Sequence, residues 1–60
     1  MYTAQEKANE ARREVTYRQF VYSKKVAAGT MQQAEADRKI RLMAEIADEY
    51  QKQADDERLI

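Results

Sequence analysis

One glycine interrupts an otherwise helix-permissive chain that contains no proline. Without proline, nothing forces a helix to break, and a glycine is the residue that most cheaply ends one in the left-handed conformation. The chain therefore has one obvious corner, at Val26-Ala-Ala-Gly-Thr30-Met-Gln-Gln33. There one helix stops and another starts within about two residues, a length usual for tight helix–helix connections. Two arms of similar length hang from this corner, which predicts an antiparallel two-helix hairpin of all-α class.

Both arms carry helix start signals. Thr3-Ala-Gln-Glu6 has the form of a capping box, in which the threonine hydroxyl and the glutamate carboxylate each accept an amide of the other residue. Thr30-Met-Gln-Gln33 repeats that form with glutamine in the third place. These signals place helix 1 at about 4–28, the turn at 29–30 and helix 2 at about 31–56, in a single domain of residues 1–60. Lys24 and Lys25 lie at the end of helix 1 and Glu35 and Asp37 at the start of helix 2, each with the sign that the helix dipole favours.

The apolar pattern says how the arms meet. Ala4, Ala8, Ala11 and Val15 recur at helical spacing and give helix 1 a thin, small-residue face. That face is expected to continue at position 18 or 19, where Arg18 and Gln19 stand instead. Tyr17, Phe20 and Val21 point to another side, while Tyr22 and Val26 rejoin the stripe. Either helix 1 kinks or restarts near Tyr22-Ser23, or it runs straight and offers a second apolar face to another subunit or partner. Tyr22 and Phe20, at helical spacing, are read first as core. Helix 2 is cleaner: Ala36, Ile40, Met43, Ala47, Tyr50 and Ala54 follow a heptad-like rhythm, with Leu42 and Ile46 beside it. At 1.5 Å per residue this is a rod on the order of 40 Å long. Antiparallel packing brings Tyr22 and Val26 towards Ile40, and Val15 and the alanines towards Tyr50 and Ala54.

At 60 residues the chain is too short for a large core. Such a domain buries only roughly 60% of its unfolded surface and usually needs a staple. Cysteine and histidine are both absent, which excludes disulfides, thiolate metal sites and imidazole chemistry. Self-association into a helical bundle, or docking onto a partner, is the staple left, and the surplus of Tyr17, Phe20, Val21, Leu42 and Ile46 suits a dimer with a four-helix core. The net charge is zero, but it is unevenly laid out. The first half holds six basic and three acidic side chains, the second half five and eight. Opposite signs favour pairing of the halves with each other; the functional alternative is a basic first arm that meets an acidic partner.

From Val26 to Tyr50 the chain resembles a group of short phage and prophage proteins of unknown function. Their pattern is an aromatic-rich first helix followed by Val-x-x-Gly-x-Met-x-x-x-Glu-Ala-Asp-Arg-x-Ile-x-x-Met-x-x-Ile. The match covers about half the chain. In that group a proline often follows a Val-Tyr pair; here Val21-Tyr22 is followed by Ser23. The resemblance implies phage or mobile-element origin and carries no assigned activity, cofactor or site residue.

No constellation for catalysis is visible. Asp48-Glu49 and Asp55-Asp56-Glu57 lie along one helix, without the converging ligands or glycine loop that a hydrolase or calcium site needs. They read as a solvated face, with Glu45 and Asp48 able to pair with Arg41 and Lys52. Thr3, Thr16, Ser23 and Thr30 have no histidine to activate them. No enzyme, cofactor, metal or small-molecule substrate is expected. No apolar run approaches the ~18–20 residues of a membrane span, and the N-terminus lacks the look of a signal peptide, so a cytoplasmic location is the default.

The candidate site is the basic-aromatic stretch of helix 1: Arg12, Arg13, Tyr17, Arg18, Phe20, Val21, Lys24 and Lys25. Tyrosine and arginine are favoured at protein interfaces. The expectation is a phage accessory protein that binds and modulates a host protein through this face. The alternative is a small regulator whose arginines and lysines meet phosphates and whose aromatics stack on bases. Glu10 and Glu14 interrupt the patch and weaken that second reading. A structural piece of a phage particle is the third.

Overall fold

A computed structural model describes residues 1–59. It is an antiparallel hairpin of two helices, α1 (Ala4–Ala27) and α2 (Gln33–Arg58). Helix α1 begins as its sequence predicts. Thr3 is the N-cap; its hydroxyl accepts the Glu6 amide at 3.0 Å, and the Glu6 carboxylate accepts the Thr3 amide at 3.0 Å. The helix then runs unbroken through Tyr22-Ser23, so it does not restart there. Ser23 turns its hydroxyl back to the Phe20 carbonyl at 2.9 Å and stays within the helical ladder.

Gly29 ends α1 in the left-handed region, at φ +79°. Around it the Gly29 amide donates to the Val26 carbonyl at 3.0 Å and the Thr30 amide to the Lys25 carbonyl at 2.9 Å. These are the paired bonds of a glycine-terminated helix, and they satisfy carbonyls that α1 would otherwise leave open. The same bonds correct the expected start of α2. The Thr30 hydroxyl donates to the Lys25 carbonyl at 3.2 Å, so it closes α1 instead of capping α2. The connection accordingly spans residues 28–32. Gln32 becomes the N-cap without a side-chain bond, and α2 starts at Gln33 and not at Met31. At its far end α2 continues past the expected stop, to Arg58; Ile60 lies outside the described residues.

The two helices meet along a seam of alanines. Ala4, Ala8 and Ala11 of α1 and Ala36, Ala47 and Ala54 of α2 are the buried residues. Among the described residues no large side chain is fully buried. Each buried methyl contributes roughly 0.8 kcal/mol, against about 1.5–3 kcal/mol for a fully buried Leu, Ile or Phe. Small residues let the helices approach closely, but they leave the hairpin a slight core. Val15, Tyr22, Val26, Ile40, Met43 and Tyr50 flank the seam half-buried. The whole is a rod of 48 × 17 × 14 Å.

Arg18 fills the gap in the α1 stripe. Its position continues the spacing of Ala4, Ala8, Ala11 and Val15, which aims it at α2. Its Nη1 donates to the Lys39 carbonyl at 2.9 Å, and its Nε to Glu14 Oε1 of the preceding turn at 3.0 Å. The break in the apolar pattern is thus a charged cross-link within an uninterrupted helix.

Charge does not join the halves as expected. Among the described residues the ion pairs are Glu10–Arg13, Glu14–Arg18, Glu35–Lys39 and Asp55–Arg58, each within one helix. Glu45 and Asp48 make none with Arg41 or Lys52. Amides bridge the helices instead. Gln5 and Gln51 exchange hydrogen bonds at 3.0 and 3.1 Å, Arg12 donates to Gln51 Oε1, and Arg58 donates to Gln5 Oε1 at 3.3 Å. The geometric cause is the small seam: it sets the glutamines at its edge within mutual reach, while the acidic residues of α2 lie mostly round the far side of that helix.

Candidate functional site

The eight basic-aromatic residues separate by helix phase into three sets. Arg12 and Arg18 are engaged inside the hairpin, Arg12 on Gln51 and Arg18 on Glu14 and the Lys39 carbonyl. Val21 is half-buried at the edge of the seam, and Lys25 sits over the ring of Tyr22 at 5.9 Å. The remaining four, Arg13, Tyr17, Phe20 and Lys24, follow spacings of four, three and four. That spacing makes a single stripe on α1, on the side away from the alanine seam.

This stripe is open to solvent. Tyr17 is 62% and Phe20 61% exposed, so the reading of Phe20 as core is corrected. The reason is phase. Phe20 lies two residues from both Arg18 and Tyr22, which carries it roughly 200° round the helix from the seam. Lys24 Nζ lies 4.1 Å above the Phe20 ring centroid, a cation–π contact that holds the ring and the ammonium together at the surface. Arg13 is only loosely held by Glu10, at 3.7 Å, with both side chains largely exposed. The stripe therefore presents two aromatic rings between two cations.

A second apolar feature gathers residues of the helix 2 line with Ile46 beside it. One broad side of the hairpin holds an open groove of about 580 Å³. Ala11, Met43, Ile46 and Tyr50 line it, with Tyr17 at its outer edge. Lys7 Nζ lies 5.4 Å from the Tyr50 ring and crosses the groove from α1 to α2. The signal was present in the spacing: Met43, Ile46 and Tyr50 are three and four apart and form a line beside the alanines, not on them. The opposite broad side carries the polar ladder of Gln5, Arg12 and Gln51, which is continued by Asp55.

Two carboxylates are perturbed. Glu6 is held below the usual carboxylate range, chiefly by the Thr3 amide and then by the Thr3 hydroxyl. Asp55 is lowered chiefly by the hydrogen bond from Gln51, with Arg58 adding to it. Both are structural bonds near helix ends. Among the described residues no three His, Cys, Asp or Glu side chains gather where a metal ion could sit. Nor is any helix among them long and apolar enough to cross a membrane.

No protein-family model, curated protein or solved structure matches this chain.

Proposed function

We propose that the chain is a non-enzymatic interaction protein that grips a protein partner with the outer stripe of α1. The observation that carries this reading is the exposure of Tyr17 and Phe20, bracketed by Arg13 and Lys24 on one helical line. Aromatic and arginine side chains are the residues that dominate binding energy when a partner desolvates them. A partner with an acidic rim around an apolar pocket suits them, since the cations would flank the rings as they enter. The resemblance of residues 26–50 to short phage and prophage proteins supports a more specific version: an accessory protein that binds and modulates a component of the host cell.

The polyanion reading has less support. Two of the five cations that a phosphate backbone would use in this stretch, Arg12 and Arg18, are engaged within the hairpin, and Glu10 lies beside a third, Arg13. The test is a pull-down from bacterial lysate with and without nuclease, run in parallel with Phe20→Glu. A stoichiometric protein that survives nuclease and moderate salt, and is lost with Phe20→Glu, supports the proposal. Recovery of nucleic acid, with binding that falls steeply with salt, overturns it.

A further inference from the structure

We infer that a second copy of this chain covers the groove lined by Met43, Ile46 and Tyr50, giving a closed dimer with a four-helix core. This surface meets the outer stripe of α1 at Arg13 and Tyr17 but leaves Phe20 and Lys24 outside it, and the inference does not rest on the role given to that stripe.

Three observations select a second copy as the occupant. The first is the asymmetry of the two broad sides. One is bridged by hydrogen bonds of Gln5, Arg12 and Gln51, whereas the other leaves Met43, Ile46 and Tyr50 only half-buried beside an alanine seam. The second is charge. The charged residues lining the groove are two basic, Lys7 and Arg13, and two acidic, Glu10 and Glu14. An alternating set of this kind can meet its own image about a twofold axis with opposite signs opposed, and the chain's zero net charge gives two copies no overall repulsion. A lipid surface would call for a rim of lysine and arginine, and a polyanion for a basic face. The third is area. The chain exposes 4840 Å², so the ~800 Å² per partner that a standard stable interface buries is about a sixth of its surface, within what one broad side presents. Pairing there puts the large apolar side chains in the interior that the alanines alone cannot provide.

The chain has no cysteine, so single cysteines report proximity cleanly. Ile46→Cys, in the groove, is expected to form a covalent dimer on mild oxidation. Lys52→Cys, exposed on the same helix and outside the groove, stays single at the same concentration. The unmodified protein is expected to sediment at twice its 7.1 kDa mass. Its melting temperature should rise by roughly 10 °C over about a hundredfold increase in concentration. Phe20→Glu is expected to leave both properties in place, which separates this interface from the stripe of α1. A 7.1 kDa species with a melting temperature independent of concentration would overturn the inference. So would equal cross-linking of the two cysteine variants, or a ladder of ever larger species in place of a closed pair.

Discussion

At the scale of single residues, the fold rests on a few positions whose chemistry is local. Gly29 is the clearest. Its φ of +79° is one that an L side chain rarely adopts, and nothing lies within 4 Å of where a Cβ would stand. The cost of Gly29→Ala is therefore backbone strain alone, about 1–2 kcal/mol. Asn at that position should lose less, because its side chain tolerates the left-handed region. Thermal unfolding checks both, with roughly 4–8 °C expected per kcal/mol in a domain of this size. Thr3→Ala removes the cap that accepts the Glu6 amide and should cost ~1 kcal/mol. The carboxylates add a pH dependence of fixed sign. Glu6 and Asp55 are both held below their usual values in the folded chain, so their contribution is complete above the unfolded range and lost as pH falls through the folded one. Helicity followed by circular dichroism should drop below about pH 4, and the combination of Glu6→Gln with Asp55→Asn should flatten that drop.

At the scale of elements, the seam is governed by what Arg18 does at its centre. Arg18 is the polar member of an otherwise apolar line, and it finds a backbone carbonyl on the other helix. A single polar residue in a helical seam fixes register, since its hydrogen bond is met at one alignment only. Arg18→Glu would set a carboxylate against the Lys39 carbonyl and beside Glu14, and should cost more than about 2 kcal/mol by the mechanism of an unsatisfied, repelled charge. Arg13→Glu, five residues earlier on the exposed face, should stay within about 0.5 kcal/mol of the parent. Urea unfolding of the pair reads the contrast directly. The same residue shows where the sequence stops being informative. The interruption at position 18 was visible as a missing apolar residue. Its explanation was not, because the acceptor is a main-chain carbonyl that carries no side-chain signal. Thr3-Glu6 and Gly29 were legible for the opposite reason: both partners of each bond lie within a few residues. Thr30 misled because its hydroxyl had two helix ends within reach and closed the earlier one. Within the candidate site, Arg12 and Arg13 look alike in sequence. Only the hairpin separates them, by setting Gln51 within hydrogen-bond reach of the first and leaving the second at the rim of the groove.

At the scale of the whole molecule, this hairpin inverts the usual distribution of side chains. Its buried residues are alanines, and its tyrosines, its phenylalanine and Leu42 remain partly or largely exposed. An inside of methyl groups makes the rod thin and closely packed. An outside with aromatic and apolar lines gives it two surfaces that water covers poorly, one on α1 alone and one across both helices. The proposed partner and the inferred second copy each follow from one of those surfaces. The most direct test of this inversion is the unfolding free energy of Ala8→Leu measured beside that of Phe20→Ala. Ala8 is fully buried against α2, so added bulk should force the helices apart and cost about 1–3 kcal/mol. Phe20→Ala, on the open face, should change stability by less than about 0.5 kcal/mol. The contrary pattern, with Ala8→Leu neutral or stabilising and Phe20→Ala costing the ~3–5 kcal/mol of a core aromatic, would contradict the account.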